Sequence, residues 1–457
     1  MLTLRELAAQ VPHLALNGDG AVRFTSVSTD TRTLAAGALF FALRGERFDA
    51  HDFAGTAVER GAAALVVERA LPLPVPQLVV ADARAALGRT AAAWRMRFVL
   101  PLVAVAGSNG KTTVTQMIGA ILAQACGPAG RLVTRGNLNN EIGLPLMLCE
   151  LTAAHRAAVL ELGMNHPGEM RMLAQIAQPT VGLVNNAQRE HQEFMASVEA
   201  TAEENAAVID ALPADGVAVF PADDACARIW RERAGTRRVL DFAQATSAAV
   251  TAEAALDPLG ADLRVATPHG GLSLRLPVSG AHNVHNALAA LTAALAIDVP
   301  LPAIVAGLEG FHPVGGRGVR TPLADGGVLI DDSYNANPDS VRAAIDLLAA
   351  QPGPRVLVLG DMGEVGAQGP AFHREVGAYA RSRGVHALLT LGSESAQAVA
   401  AFGAGARHFE SVAALAQAAQ ALAHDGGTLL VKGSRFMRME RVVVALTGAT
   451  ETPCGAH

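Results

Sequence analysis

The run Val103-Ala104-Val105-Ala106-Gly107-Ser108-Asn109-Gly110-Lys111-Thr112-Thr113 carries the residue types that hold a phosphate. An apolar, strand-like segment stops at Gly107, a loop of small residues ends in a lysine, and a helical pattern follows over 113–124. Such a strand–loop–helix turn gathers backbone N–H groups and the positive end of a helix dipole at one point. Lys111 adds charge toward terminal phosphates, and the Thr112 hydroxyl suits Mg²⁺. Gly107 and Gly110 have two residues between them, where the usual phosphate-loop pattern places four. Read alone, the string also fits a glycine turn with a surface lysine. The β run before it and the helix behind it favour nucleotide binding.

Further polar residues fall where strands should end. Apolar runs at 157–160 and 180–184 suit parallel strands covered by helices on both faces. Ligands in such sheets sit off the carboxyl ends of the strands, where Glu161 and Asn185 stand. Glu161 is a candidate Mg²⁺ ligand, directly or through water, because Mg²⁺ takes oxygen; an N-cap or a solvent-facing acid is the alternative. The stretch Gly136-Asn137-Leu138-Asn139-Asn140-Glu141 is rich in amides, which donate and accept together, although asparagine also serves in turns. His191, in Arg189-Glu190-His191-Gln192-Glu193, reads as a solvated histidine on residue type alone, since Mg²⁺ seldom takes imidazole. A helix expected over 280–297 puts Asn283 and Asn286 on one face of its first turn. Paired amides there fit the edge of an adenine ring; capping by one asparagine is the simpler alternative.

The last third of the chain repeats the pattern. Strands expected at 328–330, 356–359, 388–391 and 429–431 alternate with helices. Asp331-Asp332-Ser333-Tyr334-Asn335-Ala336-Asn337-Pro338 follows the first, Gly360-Asp361-Met362-Gly363-Glu364 the second, and Lys432-Gly433-Ser434-Arg435 the last. Packing does not account for polar residues at several strand ends of one domain. Pro313-Val314-Gly315-Gly316-Arg317-Gly318 reads as a flexible hinge carrying an arginine.

Near the N-terminus, Thr3 and Glu6 form a capping-box pattern for a helix through Gln10. Strands at 38–42, 64–67 and 77–80 alternate with helical patterns at 52–60 and 82–97. Ser28-Thr29-Asp30-Thr31-Arg32 places a carboxylate and a guanidinium two residues apart, with Gly37 and Gly45 flanking the next strand. The pair fits a polar ring edge and a phosphate. On residue types alone, a surface turn closed by a local ion pair is the better reading.

These elements fit an α/β chain of three domains: a small N-terminal α/β domain over 1–98, a central phosphate-loop domain with a parallel sheet over 99–312, and a C-terminal Rossmann-like α/β domain over 313–457. With 51% hydrophobic and 17% charged residues, sizeable cores can form and disorder is excluded. The net charge of −6 excludes a general nucleic-acid binder, so an anionic substrate must be held by a few placed residues. Cys126, Cys149, Cys226 and Cys454 are scattered, which argues against a disulfide framework or zinc site and for a reducing cytosol. The start is amphipathic rather than a signal peptide, and no apolar run is long enough to span a bilayer. A soluble cytoplasmic protein is expected.

Together the motifs resemble the Mur ligases of peptidoglycan synthesis, over essentially the whole chain. Gly107-Ser108-Asn109-Gly110-Lys111-Thr112-Thr113 is similar to that family's shortened phosphate loop, and His282-Asn283-Val284-His285-Asn286-Ala287-Leu288 to its H-N-x-x-N-A-L helix start. More selective are Gly136-Asn137-Leu138-Asn139-Asn140-Glu141-Ile142-Gly143, Glu161-Leu162-Gly163-Met164-Asn165-His166 and Asp332-Ser333-Tyr334-Asn335-Ala336-Asn337-Pro338. They resemble the branch that joins D-alanyl-D-alanine to UDP-N-acetylmuramoyl-tripeptide. The branch that adds the third residue usually has D-Y-A-H where Asp332-Ser333-Tyr334-Asn335 stands, and a D-x-P-R motif that this chain lacks.

The resemblance implies an ATP-dependent amide ligase of peptidoglycan precursor synthesis, cytoplasmic and monomeric, with Lys111, Glu161, His191 and Arg317 in catalysis. ATP would lie on Gly107, Ser108, Asn109, Gly110, Lys111, Thr112 and Thr113, with Asn283 and Asn286 near adenine, Asp332 on the ribose and Arg317 on the phosphates. Mg²⁺ would use Thr112, Glu161 and His191, which overturns the reading of His191 as a bystander. Ser28, Asp30 and Arg32 match an S-x-D-[ST]-R motif for the UDP end, with Gly45 beside them. Asn139 and Asn140 would face the sugar-peptide, and Asn335 and Lys432 would serve the substrates from the last domain. Many family members carry a carbamylated lysine; counting on from His191 without gaps puts Asn205 there, implying a reaction without carbamylation. The alternatives are another ligase of this family, tripeptide-forming or folylpolyglutamate-forming, and a nucleotide-dependent binding module without ligase chemistry.

Overall fold

The computed structural model describes residues 1–45, 48–190, 192–324, 326–422 and 426–448, so His191 and Cys454 lie outside the described residues. Among the described residues, three sheets of five, nine and six strands follow one another along the chain. The first opens on the expected capping box: Glu6 N–H donates to Thr3 Oγ1 at 3.2 Å and Thr3 N–H to Glu6 Oε2 at 2.7 Å. The helix it starts, Leu4–Ala8, stops two residues short of Gln10. Strands Ser26–Ser28, Ala38–Phe41, Ala64–Val67 and Gln77–Val79 run parallel, and Ala15–Asn17 closes the far edge antiparallel. The helix Ala83–Arg95, capped by Asp82, lies across this sheet. Its Trp94 Nε1 donates to Leu151 O at 3.0 Å, tying the first region to the second.

In the central sheet, the strand Leu102–Ala106 lies between Ala157–Glu161 and Val181–Val184, all parallel. Its residues alternate between two cores: Val103 and Val105 pack with the helices Lys111–Cys126 and Ala281–Ala296, while Leu102, Ala104 and Ala106 pack on the other face. Burial on both faces is why the run is uninterrupted in sequence. Arg131–Val133 forms one edge, and Val217–Pro221, Arg238–Ala243 and Val250–Asp257 extend the parallel set.

The sheet is not parallel throughout. Gly260–Thr267 and Gly270–Leu276 add two antiparallel strands that the sequence reading did not place. The reason is visible in Val250–Asp257: only its first residue is buried and the rest is alanine-rich and partly solvated, so it lacks the apolar run that marked the inner strands.

The last sheet runs Val319–Pro322, Val328–Asp332, Thr428–Lys432, Arg355–Gly360, Ala387–Leu391 and Ala406–Phe409, parallel except for its first strand. Cys126, Cys149 and Cys226 are free thiols; burial pushes Cys149 up to about 12 and Cys226 up to about 11, which keeps both protonated and unreactive. No helix among the described residues is long and apolar enough to cross a membrane.

Candidate active site

The central strand gives way after Ala106 to Gly107, whose φ of +127° and tight seat favour glycine: a Cβ there would lie 3.0 Å from the backbone nitrogens of Asn185 and Asn186. Gly110, at φ +82°, caps the helix Lys111–Cys126, and a Cβ there would sit 2.3 Å from Asn286 Oδ1. The loop between them is held by the segment after the neighbouring strand. Ser108 N–H donates to Asn186 O at 3.1 Å, and Asn109 N–H to Asn186 Oδ1 at 2.8 Å. Asn109 O accepts from Asn185 Nδ2 at 2.8 Å and from Asn186 Nδ2 at 3.0 Å. Behind it, Gly107 N–H donates to Oδ1 of the fully buried Asn205 at 3.1 Å, and Asn205 Nδ2 has no hydrogen-bond partner among the described residues.

Lys111 folds back over its own loop. Its Nζ donates to Gly107 O at 2.5 Å and Ser108 O at 3.1 Å, and lies 3.4 Å from Glu190 Oε2. Thr112 Oγ1 donates to Glu161 Oε2 at 2.7 Å, while Asn139 Nδ2 donates to Glu161 Oε1 at 2.8 Å. Glu161 is the last residue of its strand and 3% exposed, and among the described residues no cationic side chain pairs with it. A buried carboxylate held by two neutral donors can take a cation, and each hydrogen bond to it contributes about 1.5–3 kcal/mol. Thr112, Glu161 and water therefore fit Mg²⁺, an oxygen-seeking ion that keeps several waters. His191 lies outside the described residues, and no group of three His, Cys, Asp or Glu side chains placed to hold a metal ion occurs among those described.

These residues line one side of a cleft of about 830 Å³, within the range of small-molecule sites. The helix Ala281–Ala296 supplies Asn283 and Asn286 to the same wall. Asn286 is largely buried, its Oδ1 accepting from Asn185 Nδ2 at 2.9 Å beneath Gly110, and Asn283 Nδ2 returns to Ser279 O at 2.8 Å. Next to them, burial holds His282 below its ordinary pKa, so its imidazole is neutral at pH 7.

The C-terminal sheet furnishes the opposite wall. Asp332 Oδ2 accepts from the buried Lys432 Nζ at 2.7 Å, and Lys432 also reaches Asn335 O at 2.9 Å. The Arg317 guanidinium stacks 4.1 Å from the Tyr334 ring centroid, with Arg435 5.6 Å from the same ring. Asn335 is exposed at the cleft and accepts from Ala336 N–H at 2.9 Å. Asn140 lines the cleft near Asn139 and accepts from Gly143 N–H at 2.8 Å, at the start of the helix Gly143–Cys149.

Ser28, Asp30, Arg32 and Gly45 stand apart from this cleft. They lie at or just beyond the carboxyl ends of two adjacent parallel strands of the first sheet, Ser26–Ser28 and Ala38–Phe41. Asp30 Oδ2 accepts from Arg32 Nη2 at 2.7 Å, and Ser28 Oγ donates to Asp30 O at 3.0 Å. Arg32 lies open to solvent.

The structure also shows partners that sequence reasoning missed. Gln188 Oε1 accepts from Asn109 Nδ2 at 2.6 Å, Glu190 faces Lys111, and Arg189 bridges Asp339 and Glu375 of the C-terminal domain at 2.6 and 2.8 Å. Their signal was an amide and charge run directly after a strand end, readable only as polar without its partners.

Family models match all three regions in this order: Mur ligase family, catalytic domain at 23–95; Mur ligase middle domain at 105–294; and Mur ligase, glutamate ligase domain at 316–435. The chain belongs to the Mur ligase family. Among curated Mur ligases, the UDP-N-acetylmuramoyl-tripeptide--D-alanyl-D-alanine ligase of Escherichia coli (strain K12) is 42% identical over 438 residues, covering 94% of this chain and 96% of that one. The enzyme of the same name from Haemophilus influenzae is 37% identical, covering 96% and 97%. In solved structures, MurF from Acinetobacter baumannii superposes with a TM-score of 0.91 at 35% identity, covering 98% of this chain and 99% of that one.

Proposed function

We propose that this Mur ligase joins D-alanyl-D-alanine to the terminal carboxylate of UDP-N-acetylmuramoyl-tripeptide at the expense of ATP, in cytoplasmic peptidoglycan precursor synthesis. The observation that carries the reading is the cleft itself. In a chain 42% identical to a ligase of that name, one wall holds a phosphate loop and a buried carboxylate, and the other an Asp332–Lys432 pair and a stacked arginine. Region 1–98 would hold the UDP end, 99–312 the nucleotide, and the domain from 313 onward would complete the ATP and dipeptide sites. The protein acts as a monomer in this reading.

The chemistry is set by charge. The tripeptide carboxylate attacks the γ-phosphorus of ATP, giving an acyl phosphate and ADP. The dipeptide amine then attacks the acyl carbon; the amide bond forms, the carbon–oxygen bond to phosphate breaks, and the amine loses its proton. Two anions meet in the first step, so cations must offset their repulsion. Lys111 exchanges the Gly107 and Ser108 carbonyls for the terminal phosphates, and Arg317 reaches them from the opposite wall. Backbone N–H groups at the start of the helix Lys111–Cys126 receive phosphate oxygens. Thr112 and Glu161, with His191, would hold Mg²⁺, which when bound neutralises phosphate charge. Asn283, with Asn286 donating to its Oδ1 from below, serves the adenine edge, and Asp332 the ribose. Ser28, Asp30, Arg32 and Gly45 hold the uridine end, Asn139 and Asn140 the sugar-peptide, and Asn335 and Lys432 the incoming dipeptide. Closing the two walls excludes water, which would otherwise hydrolyse the acyl phosphate.

Purified protein given ATP, UDP-N-acetylmuramoyl-tripeptide and D-alanyl-D-alanine should turn over ATP continuously only when both other substrates are present, with the pentapeptide product seen by mass. ADP release with glutamate or a diamino acid in place of the dipeptide would favour another Mur-type ligase. ATP binding with no product from any acceptor would favour a binding module.

A further inference from the structure

The phosphate loop is fastened by the opposite wall of the cleft as well as by its own domain. Asn109, at the tip of the loop, forms a reciprocal amide pair with Asn337: Asn337 Nδ2 donates to Asn109 Oδ1 at 2.9 Å, and Asn109 Nδ2 to Asn337 Oδ1 at 3.3 Å. Asn337 is the N-cap of the helix Pro338–Ala349, with its Oδ1 accepting from Ser340 N–H at 2.8 Å and its own N–H donating to Ser340 Oγ at 3.0 Å. Proline follows at the first helical position, so this end of the helix is conformationally fixed.

The same helix end braces the segment beside the loop. Asp339 accepts from Arg189 N–H at 2.9 Å and from its Nη2 at 2.6 Å. Arg189 also donates to Glu375 at 2.8 and 3.0 Å and lies 5.2 Å from the Phe372 ring centroid. It directly follows Gln188, whose Oε1 takes the Asn109 amide. One rigid helix terminus thus grips the tip of the loop and the segment beside it.

We infer that Asn337 is a positioning residue for phosphoryl transfer, setting the tip of the phosphate loop through Asn109 when the C-terminal domain is seated. The inference rests on the functional reading above. The N–H groups of Gly110 and the first helical residues bind phosphate only if their directions converge, and Asn109 directly precedes them. Anchoring its side chain from the far wall makes a correctly shaped loop a property of the closed cleft. ATP bound before closure would meet a loop whose tip is held from one side only, which delays transfer until the acceptor domain is in place.

The test uses the full-length chain. Asn337→Ser keeps a capping oxygen for the helix but is too short to reach Asn109. It should lower kcat about tenfold, leave KM for ATP within about threefold and leave Tm unchanged. Asn109→Ala should lower kcat at least as much, since it also loses Gln188, and adding Asn337→Ser to it should cost nothing further, because the Asn109–Asn337 pair is already gone. Wild-type kcat in Asn337→Ser, losses that multiply in the double variant, or a fall in Tm that tracks the loss of kcat would overturn the inference, the last in favour of capping alone. The wild-type assay keeps the two readings apart. Ligation by the wild type with an unaffected Asn337→Ser refutes only the inference, whereas a wild type that fails to ligate the dipeptide refutes the function.

Discussion

The central cleft and the Ser28–Arg32 turn both set charged side chains beside the carboxyl ends of parallel strands, yet they are built in opposite ways. In the turn, Asp30 and Arg32 satisfy each other two residues apart, and the arginine side chain is 79% exposed. In the cleft, Thr112 pairs with Glu161 across 49 residues of sequence and Asp332 with Lys432 across 100, and Glu161 and Lys432 are buried. A buried polar group costs free energy unless it is paired, so each cleft contact constrains two distant elements at once. An exposed local pair constrains only its own turn and can exchange its partner for a ligand with little loss. Cleft residues should therefore govern the chemical step, and turn residues the grip on one substrate.

The largest effect expected from that contrast is at Lys111. Lys111→Ala should reduce turnover by about a thousandfold or more while circular dichroism and Tm stay near wild type, because the lysine acts on transferring charge rather than on packing. Appreciable turnover in that variant would erase the distinction between the two regions. Next comes the roughly tenfold loss of kcat expected for Asn337→Ser. Arg32→Ala should raise KM for the uridine substrate about tenfold with KM for ATP and Tm little changed; equal losses for both substrates would mean that the turn is not a separate grip.

A smaller effect concerns the seam between the cleft walls. The hydrogen bond from Arg189 outweighs burial and holds the Glu375 carboxyl below its ordinary value of 4.5. A carboxyl lowered on folding stabilises the folded state above its unfolded pKa, and that contribution is lost as pH falls through the lowered value. Thermal melts should thus show no Glu375 contribution to pH dependence between pH 7 and 5, then a decline at lower pH that Glu375→Gln makes shallower. The least effect is expected from bicarbonate. With Asn205 buried behind Gly107 and hydrogen-bonded to its N–H, turnover should be the same in bicarbonate-depleted and bicarbonate-supplemented buffer. Bicarbonate-dependent activity would contradict a reaction without carbamylation.

Much of the framework was legible in the sequence because the inner strands are buried on both faces and read as unbroken apolar runs. Leu102–Ala106 and the 429–431 run within Thr428–Lys432 are such stretches, buried at every position, and the polar residues after them stand out by contrast. The outer hairpin was not picked out, since Gly260–Thr267 alternates buried and exposed positions and has no unbroken apolar run like those of the inner strands. Within the cleft, residue types were readable but partnerships were not. Asn337 reads only as one residue of the polar run after a strand end, and only the fold sets it against Asn109, 228 residues away. Asn286 shows the converse: its spacing from Asn283 was right for one helical face, but its carbonyl oxygen packs under Gly110. Contacts of that kind depend on how two sheets meet, which local sequence does not encode.

The most direct test of the central claim is a crystal structure of the full chain with a non-hydrolysable ATP analogue. The account predicts the analogue's phosphates on the backbone N–H groups at the start of the helix Lys111–Cys126, with Lys111 Nζ moved from the Gly107 and Ser108 carbonyls onto phosphate oxygens. Analogue density elsewhere, with Lys111 still folded over its own loop, would contradict it.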